Sequence, residues 1–267
     1  MRAVGIILAG GNNNRMKELT HKRAVAAMPI AGSYRSIDFA LSNMTNSHIQ
    51  KVAVLTQYNA RSLNEHLNSS KWWNFGRKQG GLYVFTPTIT NDNGYWYRGT
   101  ADAIYQNMDF LKKSHEPYVV IASGDAVYKM DYSKVLQYHI DKKADVTVVC
   151  KEMDPSDDVS RFGTIRMDDD MRITEFEEKP MVTKSNMIST GIYVIRRRLL
   201  IDLIEHAAEE ERFDFVNDVL IRYKNLKKIY GYKIDHYWSN IATVDAYYKT
   251  NMDFLKPEVR NYFFKQD

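Results

Sequence analysis

Two rhythms organise the hydrophobic positions of this chain. Residues 4–9 form an unbroken apolar run that stops at Gly10-Gly11, the pattern of a buried strand opening into a turn. Comparable runs at 51–56, 118–122 and 145–150 predict further strands, and 82–86 a shorter one. Between them the apolar spacing becomes helical, at 37–47, 60–68, 100–113 and 132–143; Ile104, Met108 and Leu111 share one such face. Strands and helices in alternation predict an α/β fold with a doubly wound, mostly parallel sheet. Ligands in such sheets sit beyond the carboxyl ends of strands, and both Gly10-Gly11 and Gly124-Asp125 fall there.

From residue 163 the pattern changes. Segments 163–167 and 172–177 read as a hairpin around Asp168-Asp169-Asp170, an acidic tip better suited to a solvated turn than to a metal site. A strand at 188–195, helices at 199–210 and 215–223, a strand at 228–234 and a final helix at 243–255 complete the prediction. No internal repeat and no low-complexity linker interrupts the pattern.

Composition excludes several classes. The chain has 267 residues, enough for one α/β domain with a sizeable core. Its 37 Lys and Arg against 33 Asp and Glu give a net charge of +4, too slight to imply a nucleic-acid partner. The densest basic cluster, Arg196-Arg197-Arg198, reads as a solvated helix start or rim. Cys150 stands alone, so there is neither a disulfide framework nor a Cys metal site, and its strand-like setting predicts an inert buried thiol. The His residues lack ligand spacing, which argues against zinc. No segment reaches transmembrane length, and the amino-terminal apolar run is too short for a convincing signal peptide. A cytoplasmic protein with no membrane partner is the expectation. Trp72, Trp73 and Trp96 read as core or loop packing rather than as an aromatic surface.

The first turn carries the candidate chemistry. Glycines after a buried strand let backbone N–H groups approach phosphate oxygens, through close approach and positive φ. Here Gly10-Gly11 is followed by Asn12, Asn13 and Asn14, whose side chains occupy space that a phosphate cradle keeps small. The loop frame is kept while part of its chemistry is lost.

The residues that follow make the comparison specific. Arg15, Leu19-Thr20, Arg23-Ala24, Pro29, Gly32, Tyr34-Arg35, Ile37-Asp38-Phe39 and Leu41-Ser42-Asn43 come in close order. Then follow Leu55-Thr56-Gln57-Tyr58, Trp96 to Ala103, Gly124-Asp125, Tyr128 to Tyr132, Phe162-Gly163, Glu178-Lys179-Pro180 and Gly191-Ile192-Tyr193. Together they resemble the ADP-glucose pyrophosphorylase (glucose-1-phosphate adenylyltransferase) family, over residues 3–255. The resemblance implies a Rossmann-like nucleotidyltransferase domain and contacts to nucleotide from Gly10, Gly11, Gly99, Thr100 and Ala101. It further implies contacts to the sugar phosphate from Glu178, Lys179 and Gly191, a catalytic role for Arg15 among the phosphates with Arg23 and Arg35 nearby, and Mg²⁺ on Asp125. Family members continue into a left-handed β-helix of short repeats, which these 267 residues do not contain.

Departures from the family pattern cluster. Asn13 and Asn14 stand where the signature has Gly and Thr, Val25 where it has Lys, Ala26 where it has Pro, and Ser33 where it has a second Lys. Ala126 replaces a His. Near the carboxyl end Asn240 replaces a metal-binding Asp and Ala242 a Gly. Nucleotidyl transfer builds negative charge on the α-phosphate and on the departing pyrophosphate, which Mg²⁺, Lys and Arg must stabilise. Each missing group of this kind is worth on the order of 10²–10³ in rate.

The sugar-phosphate half therefore reads as better preserved than the ATP half. That asymmetry resembles the regulatory, non-catalytic partner of two-subunit bacterial ADP-glucose pyrophosphorylases in glycogen synthesis. The expectation is a weak or inactive subunit that binds glucose 1-phosphate, ATP or ADP-glucose and assembles with a catalytic homologue or with itself. One alternative is a slow adenylyltransferase in its own right, with Lys22 near the charge missing at 25. The other is a sugar-phosphate sensor that joins no enzyme.

Overall fold

The computed structural model describes residues 2–11, 14–68, 73, 75, 80–90, 94 and 96–265. Asn12, Asn13 and Trp72, singled out above, lie outside the described residues. In chain order the strands begin with β1 (Ala3–Ala9), β2 (Pro29–Ile30) and β3 (Tyr34–Arg35), then helix α1 (Ser36–Asn46), β4 (Lys51–Thr56), α2 (Arg61–Leu67) and β5 (Gly81–Phe85). Next come α3 (Thr100–Gln106), α4 (Met108–Lys112), β6 (Tyr118–Ser123), β7 (Ala126–Tyr128), α5 (Tyr132–Asp141), β8 (Val146–Glu152), β9 (Gly163–Met167) and β10 (Ile173–Glu178). The chain ends with β11 (Met187–Arg196), α6 (Arg197–Glu209), a π-helical turn (Phe215–Ile221), β12 (Ile229–Ile234), β13 (Trp238–Asn240), α7 (Val244–Asp253) and α8 (Pro257–Phe264). This is the predicted α/β fold, a doubly wound, mostly parallel sheet flanked by helices.

Contacts divide the chain into two compact units. The first comprises Met1–Ile6, Pro87–Ala122 and Tyr132–His236, the second Ile7–Thr86, Ser123–Asp131 and Tyr237–Asp267. Strand β1 lends residues to both. Within the first unit the strand order is β10-β9-β11-β6-β1, with β8 on β11 and β12 on β8. β12 and β8 are parallel, whereas β11 runs antiparallel to β6, β8 and β9. β9 and β10 are the predicted hairpin, paired antiparallel. Its acidic tip is a turn, in which Asp168 Oδ1 accepts from the Asp170 and Arg172 amides. The core is aliphatic: Val119, Val120, Ile121, Val148, Val149, Ile192, Val194 and Leu200 are all buried. Cys150 is buried there too, and burial pushes its thiol up to about 12, so it is inert at neutral pH.

In the second unit the order is β1-β4-β5, with β4 and β5 parallel. Two small antiparallel pairs stand apart, β2 with β3 and β7 with β13. An apolar cluster of Met16, Val25, Met28, Ile30, Phe39, Val127, Ile241 and Phe254 fills this unit, with Phe263 and Tyr237 packed against it.

Two expectations are corrected here. The single helix at 100–113 is broken at Asn107 into α3 and α4. The Asn107 side chain donates to Ala103 O and to the Tyr97 hydroxyl, a local competition that asparagine offers and most helix residues do not. The Arg196-Arg197-Arg198 cluster is the expected helix start, with Arg196 and Arg198 exposed, but Arg197 does more than line a rim. Arg197 opens α6, and its guanidinium donates to Glu116 O at 2.8 Å and Leu111 O at 3.0 Å, fixing the loop that leads into β6.

Candidate functional site

The second unit holds the phosphate-side positions. Gly10 and Gly11 end β1, and neither has the positive φ that a phosphate turn suggested. Gly10 is needed for closeness instead, since a Cβ there would meet Gln57 Cβ at 3.3 Å. At Gly11 a Cβ would meet nothing within 4 Å among the described residues. Arg15 is exposed on the 3₁₀ segment Asn14–Thr20. Arg35 is committed to the scaffold: its guanidinium donates to Ala27 O at 2.8 Å and to Ser62 Oγ.

Val25, expected from the resemblance to stand in place of a Lys, is only 8% exposed. It begins a short 3₁₀ turn (Val25–Ala27) and packs into the apolar cluster with Met16, Met28 and Ile241. The replacement has therefore become core. A charge has not merely been deleted from an open pocket.

Asp125 and Asn240 are brought together by a pairing that the sequence did not reveal. β13 lies antiparallel to β7 with Asn240 opposite Ala126, and Ile241 N donates to Asp125 O at 2.9 Å. The turn that carries Asp125 is held from three sides. Gly124 N donates to Leu8 O, and Ser36 Oγ donates to Gly124 O at 2.9 Å. Asn43 closes the far side of β7, donating to Tyr128 O and accepting from Met130 N. Gly124 is closely packed, since a Cβ would meet Ala26 Cβ at 3.2 Å and Ala9 Cβ at 3.3 Å. Ser123 Oγ donates to Asp125 Oδ1. Asn240 Oδ1 accepts from Ala242 N at 3.1 Å, so its oxygen is turned onto its own backbone. The pair offers one anionic oxygen donor group and one neutral amide. Among the described residues no group of three or more His, Cys, Asp or Glu could hold a metal. This donor set does not fit a resident Mg²⁺, which takes one or two carboxylates only when substrate phosphates complete its shell.

The first unit holds the positions that the resemblance assigns to the sugar phosphate. Glu178 ends β10, and its side chain is 16% exposed, with Oε1 3.2 Å from Lys179 Nζ. Burial raises its pKa; the neighbouring Lys179 opposes that rise, and the Asp214 carboxylate adds to it. Lys179 itself adopts φ +46, a left-handed residue that turns the chain out of the strand. Gly191 sits at φ +76, where the register of β11 against β8 slips between Ser189 and Tyr193. This is a β-bulge at which glycine is the permissive residue.

Two neighbours of Glu178 were not predicted as site residues. Tyr193 is buried with its hydroxyl 3.2 Å from Ser189 Oγ; burial raises its pKa, and Glu178 and Asp214 act in the same direction. Asp214 caps the π-helical turn, accepting from Asn217 N. A carboxylate pair with hydroxyl neighbours is suited to holding the hydroxyl groups of a sugar, and Lys179 supplies a cation for an attached phosphate.

Gly99, Thr100 and Ala101 also lie in the first unit. Gly99 backs onto the chain at Phe213, where a Cβ would stand 2.3 Å from Phe213 O. The Ala101 and Asp102 amides both donate to Phe213 O, and Thr100 Oγ1 accepts from Phe215 N. The start of α3 is thus capped by the segment before the π-helical turn. Asp102, buried, binds the Arg98 backbone and side chain, and the Arg98 guanidinium lies 3.8 Å over the Phe213 ring.

Trp73 is buried, as packing required, whereas Trp96 is 60% exposed. No helix among the described residues is long and apolar enough to cross a membrane.

Comparison with known proteins identifies the family. The nucleotidyl transferase family profile matches residues 4–257. A glucose-1-phosphate adenylyltransferase of Clostridium novyi is 42% identical over 255 residues, covering 94% of this chain and 66% of that protein. Proteins of the same name from Thermosipho melanesiensis and Bacillus anthracis are 40% and 42% identical, with 95% and 96% of this chain covered and 62% and 69% of theirs. The chain spans about two thirds of the length of these curated relatives. On the family profile and this identity, the chain belongs to the nucleotidyl transferases and, among them, to the ADP-glucose pyrophosphorylase (glucose-1-phosphate adenylyltransferase) family.

Proposed function

We propose that this chain is a regulatory, catalytically weak or inactive subunit of a glucose-1-phosphate adenylyltransferase that serves glycogen synthesis. The complex joins ATP and glucose 1-phosphate to give ADP-glucose and pyrophosphate. In the proposed assembly a catalytic homologue supplies the chemistry, and this chain binds sugar phosphate and adjusts that partner's rate. The observation that carries the reading is Asn240 beside Asp125, a neutral amide turned onto its own backbone. Val25, buried among apolar side chains, supports it.

On this reading each residue has a defined task. Glu178 accepts hydrogen bonds from sugar hydroxyls, Lys179 pairs with the phosphate, and Gly191 lets the sugar approach the strand. Gly10, Gly11 and Arg15 retain the outline of a triphosphate site. Asp125 provides one carboxylate toward Mg²⁺ arriving with ATP, too little to neutralise the charge that develops on pyrophosphate. The alternative, a slow adenylyltransferase, draws on the retention of Asp125 and on the exposed Lys22.

ADP-glucose formation from Mg²⁺-ATP and glucose 1-phosphate distinguishes the two. The chain alone is expected to be silent, and a catalytic homologue is expected to turn over faster in its presence. Turnover by the chain alone that Asp125→Ala abolishes would establish the slow enzyme instead.

A further inference from the structure

Helix α5 rests on β8, β11 and β12 in the first unit, and His139 is the polar residue that closes its buried face in the last turn. It is 1% exposed, alongside buried Tyr132, Val135 and Leu136 on the same helix. One ring nitrogen, Nδ1, lies 2.8 Å from Thr147 Oγ1 of β8. The other, Nε2, is buried without a hydrogen-bond partner among the described residues. The ring meets Tyr118 of β6 edge to face, with centroids 5.6 Å apart. An imidazole placed this way is accommodated only when neutral, because a second N–H would be a buried, unsatisfied donor on a cation.

The surrounding charges reinforce that preference. Arg196, at the end of β11, faces the imidazole and opposes a second positive charge. Asp145, just before β8, favours protonation but is outweighed. From β12, Tyr232 packs on Tyr138 of the helix, with centroids 5.2 Å apart. Burial is the largest influence, and the folded-state pKa falls to about 4.

We propose that His139 is an acid-sensitive latch for α5, fastening the helix to β8 while neutral and releasing it when protonated. The sign follows from linkage. A depressed pKa contributes stability that is complete above the unfolded value of 6.5 and is lost as pH falls toward 4. At pH 4.5 the opening equilibrium should favour release by about 60-fold relative to pH 7, for one proton taken up on opening.

The test is hydrogen exchange of the α5 amides in the whole chain, corrected for intrinsic rates, at pH 7 and pH 4.5. Protection across α5 should fall by about this factor in the native protein. In His139→Gln, which can still bond Thr147 but does not titrate, the acid-induced loss should shrink to a few-fold. Equal acid loss in both proteins would overturn the latch. Proton NMR of the native protein gives an answer even if the variant does not fold. A His139 midpoint near 4 is expected, and one near 6.5 would also overturn it.

Discussion

The two units keep their inherited positions in opposite ways. In the first, the sugar-side residues remain charged and costly: Glu178 is held partly desolvated beside Lys179, and Gly191 keeps a backbone conformation that few other residues adopt. In the second, the backbone frame is equally well kept, but on the proposed reading two of its charged groups are missing while Arg15 and Asp125 remain. Gly124 still fits against Ala9 and Ala26, and Ser36 and Asn43 still hold the Asp125 turn, yet Asn240 and Val25 stand in place of charged groups. Frame and chemistry are separable. A scaffold is preserved by packing and hydrogen bonds, whereas catalysis depends on a few charges whose removal relieves desolvation and costs the fold nothing.

The sharpest way to break that contrast is Val25→Lys. If position 25 has truly become core, a lysine there must bury its ammonium or displace its neighbours. A loss of several kcal/mol in urea unfolding is expected. A neutral effect would show that the position still opens onto a pocket and that the second unit has lost only a charge. For this reason Asn240→Asp should precede any attempt to restore both groups.

Next in size is Gly191→Ala. At φ +76 a Cβ is strained, so about 1–3 kcal/mol of stability should be lost, together with binding of glucose 1-phosphate measured by calorimetry. Unchanged binding would remove the bulge from the proposed sugar site.

Asn240→Asp places a second carboxylate beside Asp125. Mn²⁺ affinity, read by electron paramagnetic resonance in the presence of ATP, should rise roughly ten- to a hundredfold, the worth of about 1.5–3 kcal/mol for a charged contact. No change would mean that the Asx-type turn onto Ala242 persists in the variant, and that the frame has drifted along with the chemistry.

Glu178→Gln carries the smallest expected effect and tests the first unit. The folded-state pKa of Glu178 is raised, so its contribution is complete below 4.5 and is lost as pH rises through the raised value. The native melting temperature should therefore decline across that window by roughly 1–3 °C relative to the glutamine variant. Parallel curves would show that Glu178 is solvated, like an ordinary rim carboxylate.

The main elements were legible in the sequence because their signals are local. A continuous apolar run at 4–9 makes a buried strand whatever follows it, and the 163–177 hairpin shows its own turn. The break at Asn107 was missed because a side chain that competes for backbone carbonyls looks no different in sequence from one that does not. Strands β7 and β13, three residues each, were missed for lack of any period to detect, although their pairing sets Asn240 beside Asp125. Asp214 was not singled out, because its closeness to Glu178 arises only in the fold.

The sequence by itself determined the family, the α/β alternation and the places where charges are missing, because motif order and side-chain identity are properties of the chain. Only the tertiary structure decided what those absences mean. Burial depends on neighbours far apart along the chain: Met16, Phe39, Ile241 and Phe254 together turn Val25 from a vacant phosphate contact into core. The same holds for Glu178, whose raised pKa arises from burial and from Asp214, thirty-six positions away in the sequence.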